Sequence, residues 1–427
     1  MKIHELLHPR DQIIKIIDRI YTRGMTTTSG GNISIKDEYG AIWITPSAID
    51  KGTLRPSDIV CVQRNGEILG KHKPSSEFPF HKAIYDNRED INSIIHAHPP
   101  ALVSFSIVHQ IPNTNVIPQA KNVCGPIGYA SYELPGSDRL GIVIAEEFKK
   151  GFKAVIMENH GIVLGGSNLD DAYQRFETLE FCASTILYGQ MLGQPSYLKD
   201  EDINAFFDQV QEMPEQENSA THPPIEREKR ASICTIVKRA CQQGLMISSY
   251  GTVSVRWKEN DFLITPRDFS RWDMDLENIV QIKDGKREKG KFPSRATDIH
   301  QEIYKRNPKV NSIIMTQSPY LMAFAITNTH MDVRTIPESW IFLQDLVAYP
   351  FGNHFMTDIN EELVTKVKPA IIIQNDSVLI TGDELLQTFD RLEVAEFSAK
   401  SLVMGASLGN LKPINDKQIK ELKEKFL

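Results

Sequence analysis

The chain has 427 residues, 41% of them hydrophobic and 24% charged, with a formal net charge of −7 at pH 7. That length predicts two domains, and the balance is that of a water-soluble globular protein. A mildly acidic chain lacks the basic footprint of a nucleic-acid binder, and no apolar run is long enough to span a bilayer, so neither partner is expected.

In chain order, the charged start "MKIHELLHPRDQIIKIIDRI" reads as an amphipathic helix rather than a secretory signal. Its core segment "RDQIIKIIDRIYTRG" sets Ile13, Ile16, Ile17 and Ile20 on one face. "TTTSGGNIS" follows, Thr26 to Ser34, a Gly-Gly turn between helix and strand. Glycines there let backbone N–H groups approach an anion closely, although a plain tight turn explains them as well. The segments "NISIKDE", "AIWITP" and "IVCVQRNGEILG" read as short strands, the last turning at Asn65-Gly66. A helix begins after "KPSSE", with Ser75 or Ser76 as N-cap. The hydroxyls of "TPSA" (Thr45 to Ala48) and "PSSE" (Pro74 to Glu77), with that helix start, suit a phosphate. Glu77 is either the acidic first-turn residue that complements the helix dipole or a general base.

"SIIHAHPPALV", Ser93 to Val103, is a strand on which His96 and His98 share a face. A helix near "GSDRLGIVIAEEFKKG" precedes the strand "KAVIMENHGIVLGG", which places His160 at a strand-to-turn corner, and "LDDAYQRFETLEFCASTILYGQML" is the closing helix. Single strand or turn histidines are commonly structural, but three imidazoles with an open fourth position are the ligand set of a catalytic zinc. Strands precede, interrupt and follow the helices, which is a mixed α/β layered domain. With no strand-linked G-x-G-x-x-G it is not a dinucleotide fold. The five cysteines, Cys61, Cys124, Cys182, Cys234 and Cys241, are scattered and form no C-x-x-C pair, so reduced thiols in a cytoplasmic protein are expected.

The chain then repeats itself. "ITPSAIDKGTLRPSDIVCV" from Ile44 returns as "ITPRDFSRWDMDLENIVQI" from Ile264, Ser34 maps to Ser254, and His81 maps to His300. "NSII" at Asn92 recurs at Asn311, and "YQRFETLEF" recurs as "FDRLEVAEF". These anchors in one order indicate a tandem duplication. The seam is "MPEQENSATHPPIEREK", with the boundary near Glu215, giving domains 1–214 and 215–427.

Taken in order, "SGGNIS", "ITPSAI", "PSSEFPFH", "HAHPP", "YELPGS" and "ENHGIVLGG" resemble the class II aldolase/adducin family across nearly all of the first half, and weakly the second. The resemblance implies two tandem three-layer α/β/α domains with mixed, mainly antiparallel central sheets. It also implies a zinc-dependent carbon–carbon lyase that cleaves a small phosphorylated ketose of the fuculose-1-phosphate type through a zinc-stabilised enediolate. Relatives also epimerise, dehydrate or decarboxylate sugar phosphates on the same site, and adducin heads bind without catalysis. Carried over, the metal ligands are His96, His98 and His160 for one Zn2+ per chain, and the acid/base group is Glu77. The phosphate contacts are Gly31, Asn32, Ser47, Ala48, Ser75 and Ser76. Ala48 stands where many relatives have glycine. "NVIPQAKNV" offers no tyrosine near where the fuculose-phosphate aldolases supply an acid from a neighbouring subunit, which leaves Tyr129 or Tyr132, with Tyr132 the residue carried forward. The expected partners are a small phosphorylated sugar or sugar acid and further copies of the chain, two chains forming a pseudo-four-domain ring.

In the second half "HAHPP" becomes "MTQSP", "NHG" becomes "NDS" and "PSSEFPFH" becomes "PSRATDIH". Met315, Gln317, Asp376 and Ala296 replace His96, His98, His160 and Glu77, so this half reads as a degenerate copy without metal ligands.

Overall fold

A computed structural model describes residues 7–208, 212–217, 222–352 and 369–427. Its contacts form two compact units, one of residues up to Thr114 and Gln119–Ser184, the other of Asn115–Pro118 and Thr185 onward. Part of the expected seam, residues 218–221, lies outside the described residues, as do residues 1–6 of the expected first helix.

In the first unit the strands are β1 (Asn32–Lys36), β2 (Ile42–Ile44), β3 (Val60–Val62), β4 (Ile68–Leu69), β5 (Ser93–Ala97), β6 (Ile127–Ala130), β7 (Ala154–Met157) and β8 (Gly161–Gly166). They form one sheet in the order β4-β3-β2-β1-β5-β8-β7-β6. Its neighbours are antiparallel except β6 and β7, which run parallel. The helices are α1 (Pro9–Thr22), α2 (Phe78–Asn87), α3 (Pro100–Ile107), α4 (Pro118–Cys124), α5 (Asp138–Lys149) and α6 (Leu169–Gln190).

Strand alternation decides which helix covers which face. On β1, Asn32 and Ser34 hydrogen-bond to α2, so Ile33 and Ile35 point to the other face, where α1 packs with Ile13, Ile16, Ile17 and Ile20 buried. Helices α2 and α5 pack on the first face, where Phe80, Ile84, Leu140, Ile144 and Phe148 meet Ile94, Val155 and Val163 of the sheet. Cover on both faces explains why β7 and β8 are apolar throughout rather than alternating.

Two local readings differ from the structure. The N-cap of α2 is Glu77, not Ser75 or Ser76, because Pro79 fixes the first turn to start at Phe78. Ser75 instead turns the chain before it, its Oγ accepting from the Glu77 N–H at 3.3 Å. "KAVIMENHGIVLGG" is two strands, since Asn159 takes a left-handed conformation (φ 54°) and folds β7 back onto β8.

The second unit repeats the topology with β9 (Thr252–Lys258), β10 (Asp261–Ile264), β11 (Val280–Lys283), β12 (Lys286–Arg287), β13 (Ser312–Thr316), β14 (Leu346–Tyr349), β15 (Ala370–Ile373) and β16 (Ser377–Gly382). The sheet order is β12-β11-β10-β9-β13-β16-β15-β14. Register is kept as well as order: Asn32 faces His96 across β1 and β5, and Thr252 faces Met315 across β9 and β13. No helix among the described residues is long and apolar enough to cross a membrane.

Candidate active site

Pairing of β5 with β8 sets Ala97 opposite Ile162, so the turn entering β8 stands beside the end of β5. His160 in that turn thereby meets His96 and His98, and the three place one ligand-capable atom each within 4.8 Å of one another. His96 is buried and its Nδ1–H donates to the Ile162 carbonyl at 3.0 Å, which leaves the Nε2 lone pair facing the cluster. Neither His96 Nε2 nor His98 Nε2 has a hydrogen-bond partner among the described residues. Burial, then repulsion from His96, pushes the His98 imidazole down to about 3 and that of His160 to about 4. Imidazoles with orphaned buried nitrogens and an outer carbonyl on one ring fit a metal ion.

Glycines let the histidines be reached. A Cβ at Gly31 would lie 2.8 Å from the His96 carbonyl oxygen, and one at Gly161 would lie 2.6 Å from the Ala97 oxygen and 2.7 Å from the His98 ring. The Gly-Gly turn is thus required by the strand packed against it, whatever its use toward an anion.

Glu77 closes the cluster. Its Oε1 is 3.4 Å from His160 Nε2, and its Oε2 is 3.1 Å from His96 Nε2, without hydrogen-bond alignment, while accepting from Asn32 Nδ2 at 2.7 Å. Burial by itself would raise this carboxyl, but the His96 ring, the Asn32 amide and His160 outweigh it and hold it well below the usual carboxylate range. Glu77 is ionised and cannot donate until it has taken a proton.

The loops read as phosphate contacts are drawn together at the start of α2. Pro46 bridges Pro74, Ser47 N–H donates to the Lys73 carbonyl at 3.0 Å, and Ser75 N–H to the Thr45 carbonyl at 3.1 Å. Thr45 Oγ1 accepts from the Ile33 N–H, tying in the strand after Gly31 and Asn32. Ser76 borders Gly136, and Ala48 occupies the left-handed region at φ 57°. Asn32 is committed to Glu77 and His81. Among the described residues no hydrogen bond joins the Tyr129 or Tyr132 side chain to the histidines or to Glu77. Tyr132 is 57% exposed, linked to the site by its N–H to the Glu158 carboxylate, two residues before His160.

Two features carry no expectation from the sequence. Lys51 is buried and its ammonium donates to the Pro46 and Ile49 carbonyls at 3.4 and 3.1 Å, stapling the "TPSA" loop from beneath. In the second unit Arg271 takes this place, donating to the Gly251, Phe269 and Pro266 carbonyls. Glu180 of α6 accepts the Ala101 and Leu102 N–H groups, anchoring the helix that follows His98. Glu396 does the same for Tyr320 and Leu321. The recurrence of a cation and a glutamate at matching places in both halves was the available signal.

A family model described as class II aldolase and adducin N-terminal domain matches residues 11–187 and again 231–403. The chain is 32% identical over 198 residues to a 5-deoxy-D-ribulose 1-phosphate aldolase of Bacillus thuringiensis, covering 45% of this chain and 91% of that protein. It is 36% identical over 169 residues to an L-fuculose phosphate aldolase of Methanococcus maripaludis, covering 40% and 91%. A 3-oxo-tetronate 4-phosphate decarboxylase of Haemophilus influenzae is 29% identical over 202 residues, covering 46% and 95%. Among solved structures, an L-fuculose 1-phosphate aldolase is 32% identical, covering 46% of this chain and 92% of its own, with a TM-score of 0.42.

Proposed function

This chain belongs to the class II aldolase and adducin family, and on that premise we propose that its first half, residues 1–214, is a metal-dependent lyase that cleaves a small phosphorylated ketose. The observation that carries the reading is the ionised Glu77 carboxylate set 3.1 and 3.4 Å from two of three histidines with orphaned or convergent nitrogens. A module that only binds has no need of all four groups.

His96, His98 and His160 would hold the metal, which would supply Lewis acidity toward the ketone oxygen; zinc suits a three-imidazole set. The substrate phosphate lies in the loops of Gly31, Ser47, Ala48, Ser75 and Ser76, on the hydroxyls of the three serines, because the Ser47 and Ser75 N–H groups are already bonded to carbonyls. Asn32 lines the same turn but acts through Glu77. In cleavage, a proton leaves the hydroxyl on the far carbon of the breaking bond as that bond's electron pair passes to the ketose fragment, giving an aldehyde and an enediolate. Glu77, already deprotonated, is the group that moves the proton, returning it to carbon to release the second product. Tyr132 is assigned the relay of that one proton from the hydroxyl to Glu77. Two or more chains form the working homo-oligomer.

Decarboxylation of a sugar-acid phosphate is the second reading. It is favoured by the decarboxylase relative and by the lack of tyrosine in "NVIPQAKNV", and it needs the same enediolate. The test is turnover by the zinc-reconstituted full chain of L-fuculose 1-phosphate, 5-deoxyribulose 1-phosphate and a 3-oxo-tetronate 4-phosphate. Release of dihydroxyacetone phosphate from a ketose, lost in Glu77→Gln, is expected. Release of carbon dioxide alone selects the second reading. No turnover by metal-loaded protein returns the chain to an adducin-like binding role.

A further inference from the structure

Behind Glu77 runs a buried polar chain. Asn32 Nδ2 donates to Glu77, Asn32 Oδ1 bonds to His81 Nε2, His81 Nδ1 lies 2.7 Å from Ser34 Oγ, and Ser34 Oγ lies 2.7 Å from Tyr85 Oη. Asn32, Ser34, His81 and Tyr85 are all buried, so bulk water cannot replace any member.

The direction of every proton follows from the end of the chain. The Asn32 amide nitrogen donates to Glu77, so the amide oxygen faces His81. That oxygen requires an N–H, so His81 carries its proton on Nε2. A neutral imidazole then accepts at Nδ1, which makes Ser34 the donor there, and Ser34 in turn accepts from the Tyr85 hydroxyl. All donors point toward Glu77.

We propose that His81, held as the Nε2–H tautomer by Ser34 and Tyr85, is a positioning residue that locks the Asn32 amide and through it the Glu77 carboxylate. A lone asparagine could rotate and release the carboxylate; the His81 N–H binds only the orientation in which the amide nitrogen faces Glu77. The inference rests on the reading of Glu77 as the acid/base group.

The second half holds the same trio without the load. Ser254 Oγ lies 2.7 Å from both His300 Nδ1 and Tyr304 Oη. Thr252 and Ala296 replace Asn32 and Glu77, Thr252 bonds to Ser294 instead, and the buried His300 Nε2 has no partner among the described residues. The trio thus serves the fold in both halves, and only in the first does its free nitrogen have an amide to hold. His300→Leu consequently measures the purely structural cost.

The test uses the full chain without metal or substrate, so failure of the lyase reading would show separately as absent turnover. Long-range 1H–15N spectra of 15N-histidine protein at neutral pH are expected to show an Nε2–H imidazole that vanishes in His81→Gln. An Nδ1–H tautomer for His81 overturns the proposal. Hydrogen exchange of the Asn32 side-chain amide is expected to stay slow in His81→Gln, which keeps a donor, and to quicken about tenfold or more in His81→Leu. Exchange in His81→Leu no faster than in His300→Leu of equal stability also overturns it. Should His81→Leu fail to fold, Tyr85→Phe, which removes only the hydroxyl that orients Ser34, carries the same expectation.

Discussion

In the second half the Gln317 amide donates to the Asp376 backbone carbonyl at 2.7 Å. These residues stand where His98 and His160 stand in the first half, so two former ligand positions are bonded to each other. Met315, at the third position, offers only a thioether in place of an imidazole. The expected outcome is about one divalent metal per chain by elemental analysis, lost in His98→Ala and unaffected by Gln317→Ala. Two metals per chain would contradict the arrangement.

Glu77→Gln keeps the shape and the oxygen that accepts from Asn32 but removes the charge. Metal content should persist while turnover falls about 10²- to 10⁴-fold, the usual worth of a positioned proton-transfer group. A variant with full turnover would remove Glu77 from the chemistry.

Gly161→Ala tests the close approach of the β7–β8 turn to β5. Its Cβ would meet the Ala97 backbone oxygen at 2.6 Å, which cannot yield as a flexible side chain would. Zinc affinity should fall at least about tenfold, as when groups that orient a ligand are lost. Unchanged affinity by competition titration would show that the turn can shift freely.

His300 and Glu396 should impose opposite pH dependences. Burial pushes His300 down to about 3 from an ordinary value of 6.5, so the unfolded chain takes the proton first. Its stabilising contribution is therefore lost as pH falls from 6.5 through 3. Burial pushes Glu396 up to about 7 from 4.5, although two backbone N–H bonds pull it down, so its contribution is present below 4.5 and lost as pH rises through 7. Chemical denaturation from pH 5 to 8 should separate them. Below pH 6.5 the wild type should lose about 1.4 kcal/mol per pH unit relative to His300→Gln. Relative to Glu396→Gln it should lose stability with rising pH between 4.5 and 7. Parallel curves would refute both signs.

Ala48 carries a Cβ at φ 57°, a conformation that costs an L-residue about 1–2 kcal/mol. Ala48→Gly should be neutral or stabilising by up to about 1 kcal/mol, while the same change at exposed, helical Ala231 should cost about 1 kcal/mol. A larger loss at Ala48 than at Ala231 would mean that the methyl packs usefully there.

The histidine face was legible from a short-range signal and the repeat from anchors recurring in one order, while the grouping of Glu77 and His160 with that pair came from the family resemblance. An i, i+2 histidine pair declares its face on any strand, and a glycine after His160 marks a corner. The buried polar chain was legible only in pieces. Asn32 and Ser34 share a strand face, His81 and Tyr85 share a helix face at i, i+4, and Ser34 and His81 recur as Ser254 and His300. No pattern in one dimension says that this strand face meets this helix face. The fold of "KAVIMENHGIVLGG" into two strands turns on Asn159, whose left-handed conformation within the polar triplet Glu158–His160 folds one apolar segment back onto the other. Lys51 gave no sign beyond its recurrence as Arg271, since a buried lysine is otherwise recognised only by the carbonyls that turn inward to meet it.

Two sheets of identical strand order within one polypeptide also set an arithmetic that separate chains would not obey. Translation delivers one histidine-bearing copy with every degenerate copy, so their ratio is one to one in every cell and at every expression level. Neither can be made in excess, diluted away or exchanged for a different version of itself. Whatever service the second copy renders to the first, its supply needs no regulation.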